Sequence, residues 1–138
     1  MTNLDTGLAL LHVATGTFFT ITGARKCFDA STHEKVFGLF SRLGVPRPAC
    51  YAVTYGELLG GLGLLVGCLT QAAAAGLLVI MWGAWNLSAW PGVKAKGNKG
   101  AALVSSALCT PEAQLIIILI ALLFTGAGAY SLDALLFR

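Results

Sequence analysis

Residues Leu58–Val93 read LLGGLGLLVGCLTQAAAAGLLVIMWGAWNLSAWPGV and contain no residue with a formal charge. A helix that crosses the hydrocarbon core of a bilayer needs about 20 residues. This run is too long for one such helix, because the apolar residues 49–56 also precede it. The chain must therefore turn back on itself within the run. We predict the turn at Leu69-Thr70-Gln71, where polar side chains interrupt the apolar pattern.

The composition excludes a water-soluble domain of this size. Hydrophobic residues make up 57% of the chain and charged residues only 11%, whereas an ordinary soluble domain carries about 25% charged residues. Two further stretches, Thr6–Ala24 and Ala113–Leu132, also lack charge. Because an open sheet would leave unpaired backbone groups in lipid, we predict an all-α membrane protein, a four-transmembrane-helix antiparallel bundle. Its predicted spans are residues 6–24, 49–69, 72–90 and 111–129.

The basic residues predict the orientation, because Lys and Arg near helix ends stay on the cytoplasmic side. They cluster in two connections on one side of the predicted bundle, so both termini should face the periplasm or exterior. We expect an integral protein of a bacterial inner (plasma) membrane, whose net charge of +3 favours anionic lipid and not nucleic acid. The residues are Arg25, Lys26, Lys35, Arg42 and Arg47 in the first connection and Lys94, Lys96 and Lys99 in the second.

The first connection is predicted to contain a short amphipathic helix at about residues 32–43. Ser31 and Glu34 have the spacing of a capping box, and the apolar side chains fall mainly on one face. Such a helix would lie in the cytoplasmic interface, where it covers the end of the bundle or, as the alternative, docks a partner. The second connection, Pro91 to Cys109, is predicted to be mobile, and Thr110-Pro111-Glu112 to start span four sharply.

Span two carries a face of small residues, since Gly56, Gly60, Gly63 and Gly67 recur at steps of four, three and four. Small residues allow helices to pack closely in lipid, and we predict that this face packs against span three. The alternatives are a helix of another subunit or the flat ring of a quinone. The matching stripe on span three is Ala72, Gly76, Val79, Gly83 and Asn86.

Ionisable side chains inside a bilayer cost on the order of 2.5–3.5 kcal/mol each, so they usually pair or face a polar cavity. We predict two pairs: Lys26 with Glu57 near the cytoplasmic side, and His12 with Asp133 toward the exterior. The preferred interpretation is that both pairs hold helices together, and the alternative is a proton relay or a substrate site. Haem is not predicted, because the other histidine, His33, lies at a different depth.

The four cysteines form no Cys-x-x-Cys motif. Cys27, Cys50 and Cys109 are predicted near the cytoplasmic helix ends, in a reducing compartment, and Cys68 lies elsewhere. Small apolar packing is the ordinary interpretation, and clustering of the three cytoplasmic thiols stays open. The pattern predicts no metal site.

Six segments, in their order and spacing, carry a family resemblance: Leu11–Gly16, Gly23–Lys26, Leu43–Pro46, Gly56–Leu65, Pro111–Glu112 and Gly126–Leu136. Together they resemble the DoxX family of small four-helix membrane proteins. The resemblance implies a membrane subunit associated with quinone-linked redox chemistry, since the family takes its name from a small subunit of a terminal quinol oxidase. Family members commonly have Arg where His12 stands, and the family has no agreed catalytic residues to transfer.

We therefore expect an accessory, non-catalytic subunit that packs against a larger quinone-linked or electron-transfer membrane complex through its glycine faces and aromatic residues. Catalytic activity of the isolated chain is left open. No covalently bound cofactor is expected, and a quinone or lipid would lie at the bundle surface. The first alternative is a small binding or transport module with a cavity lined by Lys26, Tyr55, Glu57 and Asn86. The second is a thiol oxidoreductase that uses Cys27, Cys50 or Cys109.

Overall fold

The computed structural model describes residues 3–136, and the regular elements in that range are all helices. The first four are α1, Asn3–Phe28; α2, Ala30–Arg42; α3, Arg47–Val66; and α4, Thr70–Ala84. A π-helical segment, Trp85–Ala89, joins α4 to α5, Trp90–Ala95. The remaining helices are α6, Ala101–Leu108; α7, Pro111–Thr125; and α8, Leu132–Leu136.

Three helical stretches are long and apolar enough to cross a membrane: Asn3–Phe28, Arg47–Val66 and Thr70–Ala95. A fourth candidate is the pair of α6 and α7, which is bent by 73° at the break between the two helices. The 15 residues of α7 extend about 22 Å by themselves, at roughly 1.5 Å per residue. That is less than the roughly 30 Å of a hydrocarbon core. The chain is thus an all-helical membrane protein with three or four candidate spans, and its apolar helices contact lipid.

Helices α1 and α3 pack with their backbones in direct contact. A Cβ added to Gly16 would lie 2.6 Å from the Leu65 Cα, and one added to Gly23 would lie 2.6 Å from the Leu58 N. On α3, a Cβ at Gly61 would lie 2.5 Å from the backbone N of Thr20. The contacts run in opposite directions along the two helices, so the pair is antiparallel. The absence of a side chain at these glycines lets the two backbones come this close. Gly61 was not among the residues predicted for helix packing.

The predicted glycine face of α3 does pack against α4, but not against the predicted stripe. Branched side chains of α4 fill the space at Gly56 and Gly60, and only at Gly63 does a small residue of α4 meet the glycine. Gly76 and Gly83 have nothing within 4 Å of an added Cβ, and Val79 is 74% exposed. The predicted stripe of α4 therefore lies largely away from α3. The observed pairs are Gly56 with Ile80, Gly60 with Leu77, and Gly63 with Ala73.

The turn between α3 and α4 lies at Gly67–Leu69, earlier than predicted. Gly67 adopts the left-handed conformation (φ 67°, ψ 39°) that ends a helix at low cost, and the Cys68 N–H donates to the Gly63 oxygen at 2.8 Å. Thr70 then begins α4. Because of this turn, Gly67 leaves the glycine face and meets the C-terminal segment: a Cβ there would lie 2.6 Å from the Ser131 Cβ.

Helix α2 begins earlier than predicted because Asp29 caps it, in place of a capping box formed by Ser31 and Glu34. The Asp29 carboxylate accepts hydrogen bonds from the Ser31 N–H at 3.1 Å and from the Thr32 hydroxyl at 2.5 Å. Hydrogen bonds from Thr32, which has the largest effect, and from Ser31 hold the pKa of Asp29 below its ordinary value. Glu34 is left exposed to the surroundings.

The connection predicted to be mobile is largely helical, since α5 and α6 occupy most of residues 91–109. A hydrogen bond from the Asn98 amide to the Ser106 hydroxyl, at 2.7 Å, ties the loop between them to α6. Helix α7 starts as predicted, with the Thr110 hydroxyl accepting from the Ala113 N–H. It ends at Thr125, short of the predicted residue 129, because Gly126 takes a positive φ of 68°.

The α1–α3 contact predicts the effect of a single added methyl group. Gly61→Ala should lower the free energy of unfolding by about 1–3 kcal/mol, because backbone atoms of Thr20 and Phe19 cannot move aside as a flexible side chain can. The matched control is Gly76→Ala on α4, where the methyl group meets open space and the change should stay within about 1 kcal/mol. Thermal unfolding in detergent measures both variants. Equal stability of the two would contradict the contact.

Candidate functional site

The α1–α3 contact brings together Lys26 and Glu57, the two residues predicted to pair near the cytoplasmic side. The Lys26 Nζ lies 2.5 Å from the Glu57 Oε2. The Glu57 side chain is only 3% exposed and that of Lys26 is 22% exposed. Gly23, one turn before Lys26, packs on Leu58, next to Glu57. The glycine contact thus sets the distance across which the ammonium group neutralises the buried carboxylate.

Two cavities flank this ion pair. The larger, of about 320 Å³, lies between α2, α3 and the α4–π stretch. The smaller, of about 210 Å³, lies between α1, α4 and α7. Both are lined by Lys26, Glu57, Ala84 and Glu112, so the polar groups form a partition between them. Helix α2 and the residue after it cover the larger cavity with apolar side chains: Val36, Leu39 and Phe40 of the helix, and Leu43.

Glu112 is a third ionisable residue at this site, and it was predicted only as part of a helix start. It lies in the first turn of α7, where a carboxylate is favoured by the helix dipole. Within residues 3–136, its side chain has no hydrogen bond or ion pair. The signal was present in the sequence, because span four was predicted to start at the same membrane face as Lys26 and Glu57. Glu112 supplies a free acceptor to both cavities.

The π-helical segment Trp85–Ala89 forms part of the wall of the larger cavity through Leu87 and Ser88. Single π-helical turns within α-helices occur frequently at functional sites. The indole Nε1 of Trp85 is buried without a hydrogen-bond partner among the described residues, so this stretch carries a polar group that packing alone does not satisfy. No sequence pattern predicted the irregularity.

Asn86 and Tyr55, predicted to line a cavity with Lys26 and Glu57, do not line either cavity. Asn86 is exposed, and its amide donates to the Trp82 carbonyl of its own helix at 2.8 Å. Tyr55 is 53% exposed. Both residues are displaced from the site because the helix faces that carry them point outward, away from the ion pair.

The second predicted pair, His12 with Asp133, does not form. The ring Nδ1 of His12 lies 2.8 Å from the Leu64 carbonyl oxygen, and its Nε2 is buried without a described partner. One ring nitrogen of His12 thus forms a hydrogen bond with the α3 backbone, in place of the predicted ion pair with Asp133. His12 is 1% exposed, and it acts as a packed polar residue of the α1–α3 contact.

Asp133 instead caps α4. Its carboxylate accepts from the Leu69 N–H at 2.6 Å and from the Thr70 N–H at 2.8 Å, and its own N–H donates to the Gly67 oxygen at 2.8 Å. Burial acts to raise the pKa of Asp133, but hydrogen bonds from Thr70 and Leu69, with the nearby His12, outweigh it and leave the pKa below its ordinary value. The C-terminal helix α8 is thereby held against the α3–α4 turn.

The cysteines are free thiols in the described chain. Cys50 is buried, with its Sγ 3.4 Å from the Pro46 oxygen, while Cys109 is exposed and Cys27 and Cys68 are partly buried. Among residues 3–136 no group of three or more His, Cys, Asp or Glu side chains is arranged to hold a metal ion. These thiols contribute nothing to the two cavities.

Comparison with known proteins identifies a family for this chain. Residues 7–90 match the family model described as DoxX, a range that runs from the first turns of α1 to Trp90, the first residue of α5. The match is shorter than the resemblance drawn from individual segments, since Pro111–Glu112 and Gly126–Leu136 lie beyond it. No curated protein and no solved structure matches the chain.

Because Lys26 and Glu57 form an ion pair, we predict that the effect of changing one of them on the free energy of unfolding depends on the other. Lys26→Met should lower the free energy of unfolding by about 3 kcal/mol, because it leaves the buried Glu57 carboxylate without its cation. Adding Glu57→Gln to this variant should recover much of the loss. Unfolding in detergent of both single variants and the double variant measures the coupling, with Arg25→Met, an exposed neighbouring cation, as the control. Additive losses would contradict the pair.

Proposed function

The chain belongs to the DoxX family, and from that premise we propose that it binds a quinone or quinol in the cavity beside the Lys26–Glu57 ion pair. One observation carries the proposal: an apolar cavity of about 320 Å³ has a buried ion pair and a free carboxylate in its wall. Ligand pockets in proteins combine mostly apolar walls with a few placed polar groups, and range from about 300 to 1,000 Å³. This cavity lies at the small end of that range, which suits the head of an amphiphilic molecule.

The polar groups of the site fit both redox states of such a head. A quinone presents carbonyl oxygens, which accept hydrogen bonds, and the Lys26 ammonium is a donor. A quinol presents hydroxyl groups, which donate, and the free Glu112 carboxylate is an acceptor. The apolar tail would leave the cavity along the surfaces of α2 and α4 into lipid. The proposed role is to bind the quinone or quinol, and it includes no catalytic step.

The proposal includes a four-span arrangement in a bacterial inner membrane. The bent pair of α6 and α7 would form the fourth span, and both connections rich in Lys and Arg would face the cytoplasm. Lys26, Glu57 and Glu112 would then lie near the cytoplasmic interface. Both chain termini and the α3–α4 turn would face the periplasm.

Two glycines of the same helical stretch provide the test. Gly83 lines the larger cavity and Gly76 does not, yet an added Cβ meets nothing within 4 Å at either position. Gly83→Leu should therefore fill the cavity without straining the fold, and Gly76→Leu should leave it open. With ubiquinone-1 and its quinol as probes, we expect wild type and Gly76→Leu to gain thermal stability, and Gly83→Leu to gain none.

The two variants also show which result would overturn the proposal. If Gly83→Leu retained the wild-type response to both probes, the ligand would bind elsewhere on the chain. If neither probe stabilised the wild-type protein in micelles or nanodiscs, the assignment of a quinone or quinol to this cavity would be wrong. Unfolding without added probe is the control that both leucine variants are folded.

An accessory subunit of a quinone-linked or electron-transfer complex is the second candidate, and the exposed Asn86 favours it. Its amide nitrogen donates to its own helix, but its side-chain oxygen has no partner among the described residues and can accept a hydrogen bond from another helix. Trp82, one turn earlier, is 57% exposed beside it. The glycine face of α3 gives no such support, because α4 occupies it. A partner helix would instead contact the outer surface of α4.

Purification in mild detergent tests the accessory role. We expect a second membrane protein to accompany the wild-type chain and to be lost from the variant Asn86→Leu, which removes the amide from the outer surface of α4. Gly7→Leu, on an open part of α1, serves as the control and should keep the partner. A wild-type preparation that contains this chain alone would contradict the role.

A further inference from the structure

A second cavity of different character lies between α2 and the start of α3. It has a volume of about 450 Å³ and combines charged, hydroxyl and aromatic side chains. Apart from Val45, its lining residues are not those of the cavity beside the ion pair. The residues that matter here are His33, Glu34, Phe37, Ser41, Arg47 and Tyr51. This cavity is called the α2–α3 cleft below.

The cleft follows from the two-sided character of α2. One side of this helix covers the cavity at the ion pair with Leu39 and Phe40. The other side lines the cleft with Glu34, Phe37 and Ser41, which are spaced three and four residues apart and therefore lie on one stripe. A helix with one apolar and one polar side lies in the membrane interface, at the level of lipid head groups. The cleft therefore opens where phosphate and ammonium groups are abundant.

Aromatic rings form an ordered wall of the cleft. The His33 ring stacks on Phe37 at 4.0 Å between centroids, and Phe37 lies 4.9 Å from Tyr51. The His33 Nδ1 lies 2.9 Å from the Lys26 carbonyl oxygen, which fixes the orientation of the ring. The faces of Phe37 and Tyr51 can attract a cation by the cation–π interaction. The wall is thus held in place before any ligand arrives.

The cleft also presents one positive and one negative side chain that do not neutralise each other. Arg47, the first residue of α3, and Glu34 of α2 both line it and are both exposed. The part of the chain that the structure describes has no ion pair between them. Gly38 of α2 also lines the cleft, and a Cβ there would meet nothing within 4 Å. The cleft therefore has open space beside α2, and its two charges are not paired with each other.

We propose that the α2–α3 cleft binds the head group of a zwitterionic phospholipid, one that carries a phosphate and a primary ammonium group. The Arg47 guanidinium binds the phosphate, because its planar fork of donors matches two phosphate oxygens. The Glu34 carboxylate and the rings of Phe37 and Tyr51 bind the ammonium. A lipid is the occupant because the protein is embedded in the bilayer, whose head groups lie at the level of the cleft. This site is independent of the cavity beside Lys26.

Thermal unfolding in detergent micelles, with one added lipid at a time, tests the assignment. Dioleoylphosphatidylethanolamine carries both groups, and dioleoylphosphatidylglycerol carries the phosphate without the ammonium. We expect the first lipid to stabilise the wild-type protein at about tenfold lower concentration than the second. Arg47→Gln should remove the response to both lipids, and Glu34→Gln should remove the preference between them. Arg42→Gln, an exposed α2 cation outside the cleft, should leave both responses unchanged.

The variant Gly38→Leu separates this site from the proposed quinone site. Its side chain would enter the open space of the cleft, so the fold and the response to ubiquinone-1 should be kept while the response to phosphatidylethanolamine is lost. Equal responses of the wild type to the two lipids, unchanged by Glu34→Gln, would indicate simple attraction of anions and would overturn the proposal. A phosphatidylethanolamine response retained in Gly38→Leu would also overturn it. So would the absence of any lipid response in the wild type.

Discussion

In lipid, two helices gain little by hiding apolar side chains from each other, and close backbone contact is a main route to a stable pair. Helices α1 and α3 reach that contact because Gly16, Gly23 and Gly61 have no side chains at the crossing. The contact also fixes the offset of one helix along the other. A shift by one turn would carry Lys26 away from Glu57 and leave two ionisable groups without partners. The register of this pair thus determines where the polar site lies.

The cavity beside the ion pair exists because the surrounding elements do not close over it. Gly83 contributes no side chain to its wall, and the π-helical segment after it changes the direction of Leu87 and Ser88 relative to a regular α-helix. Helix α2 lies across the opening and lines it with the apolar side chains of Val36, Leu39 and Phe40. The same helix turns its polar side to the α2–α3 cleft, so one short amphipathic element shapes both sites at the membrane surface.

The features predicted correctly from the sequence are those that depend on the distribution of charge and hydropathy along the chain. Charge-free runs indicated the membrane class, and the shared depth of Lys26 and Glu57 followed from their distance to the basic connections. The partners of individual faces did not follow, because Gly61 has the same local pattern as the neighbouring glycines and only the rotation of α3 selects it for α1. Asp133 could not be assigned to the α4 cap, since that contact depends on the fold of residues 126–131.

We interpret the ion pair as serving the proposed ligand more than stability. Apolar side chains of similar volume often hold helices as well as a buried ion pair does, because removing two charges from water costs several kcal/mol. What apolar side chains cannot supply is a donor and an acceptor in the wall of an apolar cavity. Lys26 and Glu57 neutralise each other, and the carboxylate of Glu112 adds one acceptor without a described partner. A neutral head group with polar oxygens matches this set, because it gains hydrogen bonds there without bringing an unpaired charge into lipid.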